Sequence, residues 1–126
     1  MNENKEYITQ TEEMGSINIS EDVLAAIAAI AISEVDGVSG LSANIGSDIA
    51  ELLGKKSLTK GVKISLSESA VRVDCFVLIQ YGYTIPEVAR NIQDDVTNAI
   101  ESMTGLSVIT VNVNVGGVSF EKEGRK

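Results

Sequence analysis

The sequence predicts an α+β fold, a two-layer sandwich in which two main helices cover one face of a mixed four-stranded sheet. The expected element order is βαββαβ, with a short extra helix. Two patterns support this prediction: apolar residues alternate with polar ones in several stretches, and they recur at steps of three and four in two others. A chain of 126 residues, 44% of them hydrophobic, fits one domain with a sizeable core.

The first part of the pattern predicts a strand followed by a helix. Residues 16–20 alternate isoleucine with polar residues, and Ser20 is a suitable N-cap for a helix that runs to about Asp36. Gly37 then occupies the C-cap position. This helix is apolar almost all round, so we expect it to be covered on two sides, once by its own sheet and once by something else.

The stretch from 39 to 60 is the least regular part of the chain. Ser47 or Asp48 would cap a short helix ending near Leu53. Lys55 and Lys56 follow it and begin the only basic concentration of an acidic sequence. Two interpretations remain open for these lysines: a solvated loop, or a contact with phosphates, lipid headgroups or an acidic partner.

The central part predicts a hairpin, with a strand near 62–66 and a longer one over 71–81. On the second strand the even positions Arg72 and Asp74 are polar, whereas Phe76 and Leu78 are large and apolar. This pair places apolar surface on the face of the sheet away from its core. It is either a protein contact or a surface covered by the segment 42–53 or by a tail of the chain. The odd positions are all apolar and are expected to face the core: Val71, Val73, Cys75, Val77, Ile79 and Tyr81.

The last part predicts an amphipathic helix and a final strand. Thr84 and Glu87 have the spacing of a capping box, and Gly105 ends the helix. In the strand that follows, Ile109 and the valines after it are expected to point inward. Gly116-Gly117 then shifts the alternation by one residue, which indicates a β-bulge.

The ends of the chain have the composition of tails. Residues 1–14 are polar and acidic, and residues 121–126 carry five charges in six positions. Such segments bury little apolar surface, so we predict a disordered acidic tail at 1–14, one domain at 15–120 and a second disordered tail at 121–126.

The side chains available for catalysis are few. The chain has no histidine, which excludes Ser/His and Cys/His nucleophilic arrangements and most zinc sites. The single Cys75 is predicted to be a buried structural thiol, since activation requires exposure and a neighbouring cation or base. Asp94 and Asp95 fall on the polar face of the second helix, where a solvated surface is the expected state. The sequence therefore predicts no enzyme activity, no cofactor and no metal site.

One short motif resembles a nucleic-acid element. The GxxG at Gly37–Gly40 has the spacing of the RNA-clamping loop of KH domains, but it lacks flanking lysines. The end of a helix followed by a turn explains both glycines equally well.

Charge and hydropathy restrict the partners. A formal charge of −8 opposes non-specific binding to nucleic acid or anionic lipid. A lone cysteine fits a reducing compartment, no signal peptide is visible, and the longest apolar run (23–32) is shorter than the roughly 20 residues of a membrane span. We expect a cytoplasmic protein without direct membrane insertion.

A series of short motifs covers nearly all of residues 15–120 in a specific order. They are GxIxIS at 15–20, EVDGV at 34–38, GKK at 54–56, KGV at 60–62, VD at 73–74, YG at 81–82, IPEV at 85–88, IQ at 92–93, TGLxV at 104–108, VNVxV at 111–115 and GVxF at 117–120. With these motifs the chain resembles the alkaline shock protein family of Gram-positive bacteria, also described as envelope stress response proteins.

The resemblance implies a non-enzymatic protein of envelope homeostasis that gathers at the inner face of the membrane through a membrane-anchored partner. It also implies that some relatives are linked to membrane-lipid synthesis, and it supplies no catalytic residues. We therefore expect a self-associating interaction or scaffold protein, with Arg72, Phe76, Leu78, Lys55 and Lys56 as candidate partner-binding residues.

The alternative function is an RNA or single-stranded nucleic-acid-binding module. Phe76 on a central strand of a βαββαβ fold resembles a base-stacking platform. The charge of −8 and the single aromatic residue on that face oppose this alternative.

Overall fold

The computed structural model describes residues 7–41, 61–68 and 70–120. It confirms the α+β class, with two helices and a mixed four-stranded sheet. The elements are β1 (Tyr7–Glu12), β2 (Gly15–Ser20), α1 (Glu21–Ser33), β3 (Val38–Leu41), β4 (Val62–Ser67), β5 (Ala70–Gln80), α2 (Ile85–Thr104) and β6 (Ser107–Ser119). The short helix expected before Leu53 lies outside the described residues.

Strand β5 is the centre of the four-stranded sheet. On one side it pairs antiparallel with β4 over its first half and with β3 near its end. On the other side it pairs in parallel with β6 over its whole length. Parallel neighbours require a crossover connection, and α2 provides it.

The N-terminal segment differs from the prediction. Residues 7–12, expected to be part of a disordered tail, form β1, which pairs antiparallel with β2 in a separate two-stranded sheet. The reason is Ile8, which is only 2% exposed and belongs to the main core. Strand β2 is thus not part of the main sheet, whose fourth strand is β3.

The core lies between the sheet and the two helices. The odd positions of β5 from Val71 to Ile79 are fully buried, as predicted. The buried face of α2 has the predicted spacing of four residues, whereas α1 buries Leu24, Ala25, Ala28 and Ile32. Val23 and Ile30, which the pattern placed on the same apolar face as Leu24, stay exposed, so the described residues leave part of the apolar surface of α1 uncovered.

The helix ends follow the sequence at Ser20 and Gly105 but not at the other two ends. The Ser20 hydroxyl accepts a hydrogen bond from the backbone N–H of Val23 (3.3 Å), and Gly105 ends α2 in the left-handed conformation with φ 78°. Thr84 is the N-cap of α2, but its side chain makes no capping hydrogen bond. The capping box predicted there is therefore wrong in its side-chain contact.

Helix α1 ends at Ser33 with Glu34 as its C-cap. The predicted end near Asp36, with Gly37 as C-cap, is therefore wrong. The backbone N–H groups of Glu34 and Val35 bond to carbonyls three residues back, which tightens and ends the last turn.

Strand β6 contains two irregularities. The register with β5 shifts between Val115 and Gly117, which confirms the predicted bulge. A second shift between Val108 and Thr110 leaves Ile109 without a partner on β5. Ile109 is consequently exposed, and its predicted inward orientation is wrong.

Candidate docking surface on the outer face of the sheet

The outer face of the sheet is the side turned away from α1 and α2. On β5 it consists of the even-numbered residues, as the alternation predicted. Arg72 is exposed, and Asp74, Phe76 and Leu78 are half-buried. Three of the five candidate residues, Arg72, Phe76 and Leu78, thus share one face of one strand.

The first half of this face is polar. Asp74 lies opposite Lys63 of β4 on one side and Asn112 of β6 on the other. The Asn112 side-chain amide donates to Asp74 Oδ1 at 2.9 Å. Arg72 lies between Ser65 and Thr110, whose short side chains leave the guanidinium accessible.

The second half of this face is apolar and has small neighbours. Leu78 is opposite Gly40 of β3 and Gly117 of β6. A Cβ at position 117 would lie 3.1 Å from Leu78 Cδ2, so glycine allows the leucine side chain to approach the backbone of β6. The backbone N–H of Phe76 donates to the carbonyl of Gly61 at 2.8 Å. Among the described residues, the glycines beside Leu78 leave its side chain partly accessible, and Phe76 is partly accessible next to Asn114.

The remaining two candidates cannot be placed on this face. Lys55 and Lys56 lie outside the described residues, as does the segment 42–53 that was considered as a cover for Phe76. The role of the two lysines stays a prediction.

Cys75 is fully buried on the core side of β5, as predicted. Burial away from water, and secondarily the negative charge of Asp74, raises the pKa of the Cys75 thiol from 9.0 to about 12. Its Sγ lies 3.6 Å from the carbonyl oxygen of Asn112. Because the thiolate is the reactive form, this cysteine is a poor nucleophile and metal ligand at neutral pH.

The acidic residues of α2 do not converge. Asp94 and Asp95 are exposed, and the residues that the structure describes contain no group of three or more acidic or cysteine side chains able to hold a metal ion. Glu101 instead accepts a hydrogen bond from the backbone N–H of Val108 (3.0 Å). A shallow groove of about 280 Å³ between the helices has mixed polar and small residues along it: Ala31, Glu34, Asp95, Asn98, Ala99 and Ser102.

The GxxG motif begins in the turn that follows α1, as predicted for Gly37, whereas Gly40 lies in a strand. Residues 38–41 form β3, and Gly37 precedes it with φ 98°. A Cβ at position 37 would lie 2.8 Å from Tyr83 Cδ2 and 2.9 Å from Val88 Cγ2. Close packing against these two side chains and a left-handed backbone both require glycine there.

An aromatic contact at the ends of β5 and β6 was not predicted from the sequence. Tyr81, predicted to face the core, is 73% exposed because it follows the last paired residue of β5. Its ring meets that of Phe120 edge-on, with centroids 5.3 Å apart. Tyr83, Ile85 and Val118 are exposed nearby in sequence. One feature of the sequence could have indicated this exposed contact. The shift after Gly116-Gly117 moves Val118 and Phe120 out of the inward alternation.

Hydropathy places no membrane span in the described part of the chain. Neither helix there combines the length and the apolar character that crossing a bilayer requires.

Comparison with known proteins identifies relatives over most of the chain. Residues 9–120 match the alkaline shock protein 23 family, which is described as having a cell envelope-related function. The uncharacterized protein YqhY of Bacillus subtilis is 32% identical over 113 residues, covering 90% of this chain and 84% of the relative. The uncharacterized protein YloU of the same organism is 32% identical over 106 residues, covering 82% and 88%. A stress response regulator gls24 homolog of Streptococcus pyogenes is 26% identical over 110 residues, covering 86% and 62%.

Solved structures show the same fold in a distant protein. A variant of the MamM CTD superposes with a TM-score of 0.54 and 12% sequence identity, covering 77% of this chain and 95% of the other. At this identity the likeness concerns the fold alone.

Proposed function

We propose that this chain, which belongs to the alkaline shock protein 23 family, is a non-catalytic protein of cell-envelope homeostasis that acts by binding other proteins. The observation that carries the proposal is the outer face of the sheet, where Phe76 and Leu78 lie half-buried beside the exposed Arg72. The stress response regulator homologs among its relatives support a role in envelope stress.

The outer face has the features of a protein contact. Its apolar residues lie on the central strand, which is hydrogen-bonded on both sides and so holds them in fixed positions. An apolar centre with a charged or polar border is the usual composition of such interfaces, and arginine is frequent among the residues that dominate binding. Arg72, Asp74 and Asn112 provide that border on one side.

The proposed partner is a membrane-anchored protein that recruits this chain to the inner face of the membrane. The family's envelope-related function supports a position near the membrane, and a charge of −8 disfavours direct attraction to anionic lipids. Lys55 and Lys56 would add positive charge to the contact. In this proposal the chain acts as a cytoplasmic scaffold that also self-associates.

Substitution of the apolar pair tests this function. In the native cell, crosslinking should capture an integral membrane protein with the wild-type chain, and the Phe76→Ser/Leu78→Ser variant should reduce capture by about tenfold or more. The matched control is Val23→Ser/Ile30→Ser, which makes the same change on the exposed side of α1. Unchanged capture by the Phe76/Leu78 variant, with melting temperatures confirming both folds, would exclude this surface.

Two other functions stay open to the same experiments. A regulator linked to membrane-lipid synthesis would use the same face, and identification of the captured protein as a lipid-synthesis enzyme would indicate it. A nucleic-acid-binding module would require Phe76 to stack on a base, yet its neighbour on β6 is Asn114 and Asp74 lies two residues away. Salt-dependent binding of single-stranded oligonucleotides by the purified chain would favour that module.

A further inference from the structure

Strand β6 has an edge that the fold leaves unpaired. Of its 13 residues, all but Ile109 and Gly116 pair with β5 on one side, and across the described ranges 7–41, 61–68 and 70–120 no strand pairs with the other side. A strand of this length extends about 40 Å. Proteins usually protect such edges with charged side chains, proline or covering elements, because unpaired backbone groups bind other strands.

Strand β6 has a β-bulge at Gly116, which is one protective feature of edge strands, but its composition offers neither charge nor proline. Between Glu101 and Glu121 the sequence contains no charged residue and no proline, although 22% of the whole chain is charged. The side chains of Asn112 and Asn114 bond to Asp74 and to the carbonyl of Cys75, which are both on β5. These amides thus reinforce the existing pair of strands and do not shield the far edge.

In the described part of the chain, side chains of helix α2 bond to the backbone of β6 only in the first part of the strand. The carboxylate of Glu101 accepts the backbone N–H of Val108 at 3.0 Å, and the side-chain amide of Gln93 donates to the carbonyl of Val111 at 3.1 Å. Among the described residues, no side chain of α2 makes a comparable bond to β6 beyond Val111. We call the backbone of residues 113–118 the open edge.

Apolar side chains lie at the far end of the open edge. Val118 is 44% exposed, and Phe120 is 65% exposed and in contact with Tyr81. A strand added to the open edge would bury part of this surface in addition to forming backbone hydrogen bonds.

We propose that the open edge pairs antiparallel with the open edge of a second copy, so that two sheets join into one. Identical strands are self-complementary about a two-fold axis, and a strand without charged residues adds no direct repulsion between two molecules of charge −8. Because β6 has no charged residue, it has no electrostatic feature that would favour the strand of a different protein over a second copy of β6. This inference rests on the self-association in the proposed function and assigns it to a strand. Pairing through β6 leaves the outer face of β5 free for the partner.

Sedimentation velocity of the full chain over a range of concentrations tests this pairing. The wild type should pass from monomer to dimer, and Val118→Lys should weaken dimerisation by about tenfold or more, since the two-fold axis introduces the charge twice. Ile30→Lys is the matched control, because it makes the same change of charge at a residue 61% exposed on α1 and should dimerise at least as strongly as the wild type does. Thermal unfolding verifies that both variants are folded.

Hydrogen exchange gives an independent measurement that needs no variant. Backbone amides of residues 113–118 should exchange more slowly as the protein concentration rises, whereas those of β4 should not change. A wild type that stays monomeric, a Val118→Lys variant that dimerises normally, or a concentration effect confined to another strand would each overturn the inference. Phe76→Ser/Leu78→Ser should dimerise normally, which separates this test from that of partner docking.

Discussion

At the scale of single residues, Cys75 illustrates how an environment determines a role. Its side chain is fully buried on the central strand, and burial raises the pKa of the thiol to about 12. The alternation of β5 predicted this location, since every odd position from Val71 to Ile79 is apolar. The direction of the pKa shift then follows from burial, because removal from water disfavours the charged form.

The raised pKa of Cys75 predicts a loss of stability in alkali. The thiol ionises at about pH 9 when the chain is unfolded but only near pH 12 when it is folded. This contribution is therefore unaffected below pH 9 and becomes destabilising as the pH rises from 9 towards 12, because ionisation then favours the unfolded chain.

Comparison of the wild type with Cys75→Ala isolates this contribution from those of all other ionisable groups, which the two proteins share. The free energy of unfolding, measured by urea titration, should fall more steeply above pH 9 for the wild type than for the variant. Parallel curves for the two proteins would show that Cys75 ionises equally easily in both states.

The candidate docking residues could be predicted only in part. Alternation along β5 placed Arg72, Phe76 and Leu78 on one face, because a strand of eleven residues keeps its period of two. Alternation failed at Tyr81 and Ile109, where pairing ends or a bulge interrupts the register. Such changes depend on the neighbouring strand, so a pattern within one segment does not reveal them.

At the scale of elements, the two helices differ in how well their packing could be predicted. Helix α2 alternates apolar and polar residues with a helical period, which predicted an apolar series from Ile85 to Met103. The middle of that series is buried (Val88, Ile92, Val96 and Ile100), whereas Ile85 and Met103 at its two ends are exposed. Helix α1 is apolar almost all round, so its sequence does not indicate which side faces the sheet. Packing against β4, β3 and α2 determines that the side with Leu24, Ala28 and Ile32 is buried.

The hairpin of β1 and β2 escaped prediction because its composition resembles that of a tail. Glutamates and polar residues surround Tyr7-Ile8-Thr9, and the single inward isoleucine gives too short a pattern to recognise. Register fixes Ile8 opposite Ile19, and Ile8 joins the main core. The hairpin is also tied to the end of α2, since the Gln10 side-chain amide donates to the carbonyl of Thr104 at 2.8 Å.

Ile8→Ala therefore should destabilise the whole domain. Removing a fully buried isoleucine side chain costs about 2–4 kcal/mol of unfolding free energy, from lost burial and the cavity that remains. Thr9→Ala, at an exposed position of the same strand, is the control and should change stability by less than about 1 kcal/mol. Urea denaturation measures both. Equal stability of Ile8→Ala and the wild type would mean that residues 7–12 act as the tail that the sequence first predicted.

At the scale of the whole molecule, charge and apolar surface are distributed unevenly. The chain carries a net charge of −8, yet the stretch from Ser102 to Phe120 has no charged residue. The outer face of β5, by contrast, combines Phe76 and Leu78 with the charged Arg72 and Asp74. Two different surfaces on one sheet would allow the protein to pair with itself and to bind a partner at the same time.

The two surfaces should respond differently to salt. Dimerisation through the charge-free edge of β6 opposes the repulsion between two acidic molecules, and salt screens that repulsion with a Debye length of about 10 Å at 0.1 M. The dissociation constant of the dimer, measured by sedimentation, should therefore decrease as sodium chloride is raised. Ile30→Lys adds one positive charge to each molecule and so weakens the repulsion between them. Its dissociation constant should therefore decrease less with salt. A dimer that weakens with salt would instead be held by ion pairs, which the edge of β6 does not contain, and its contact would have to lie on another face.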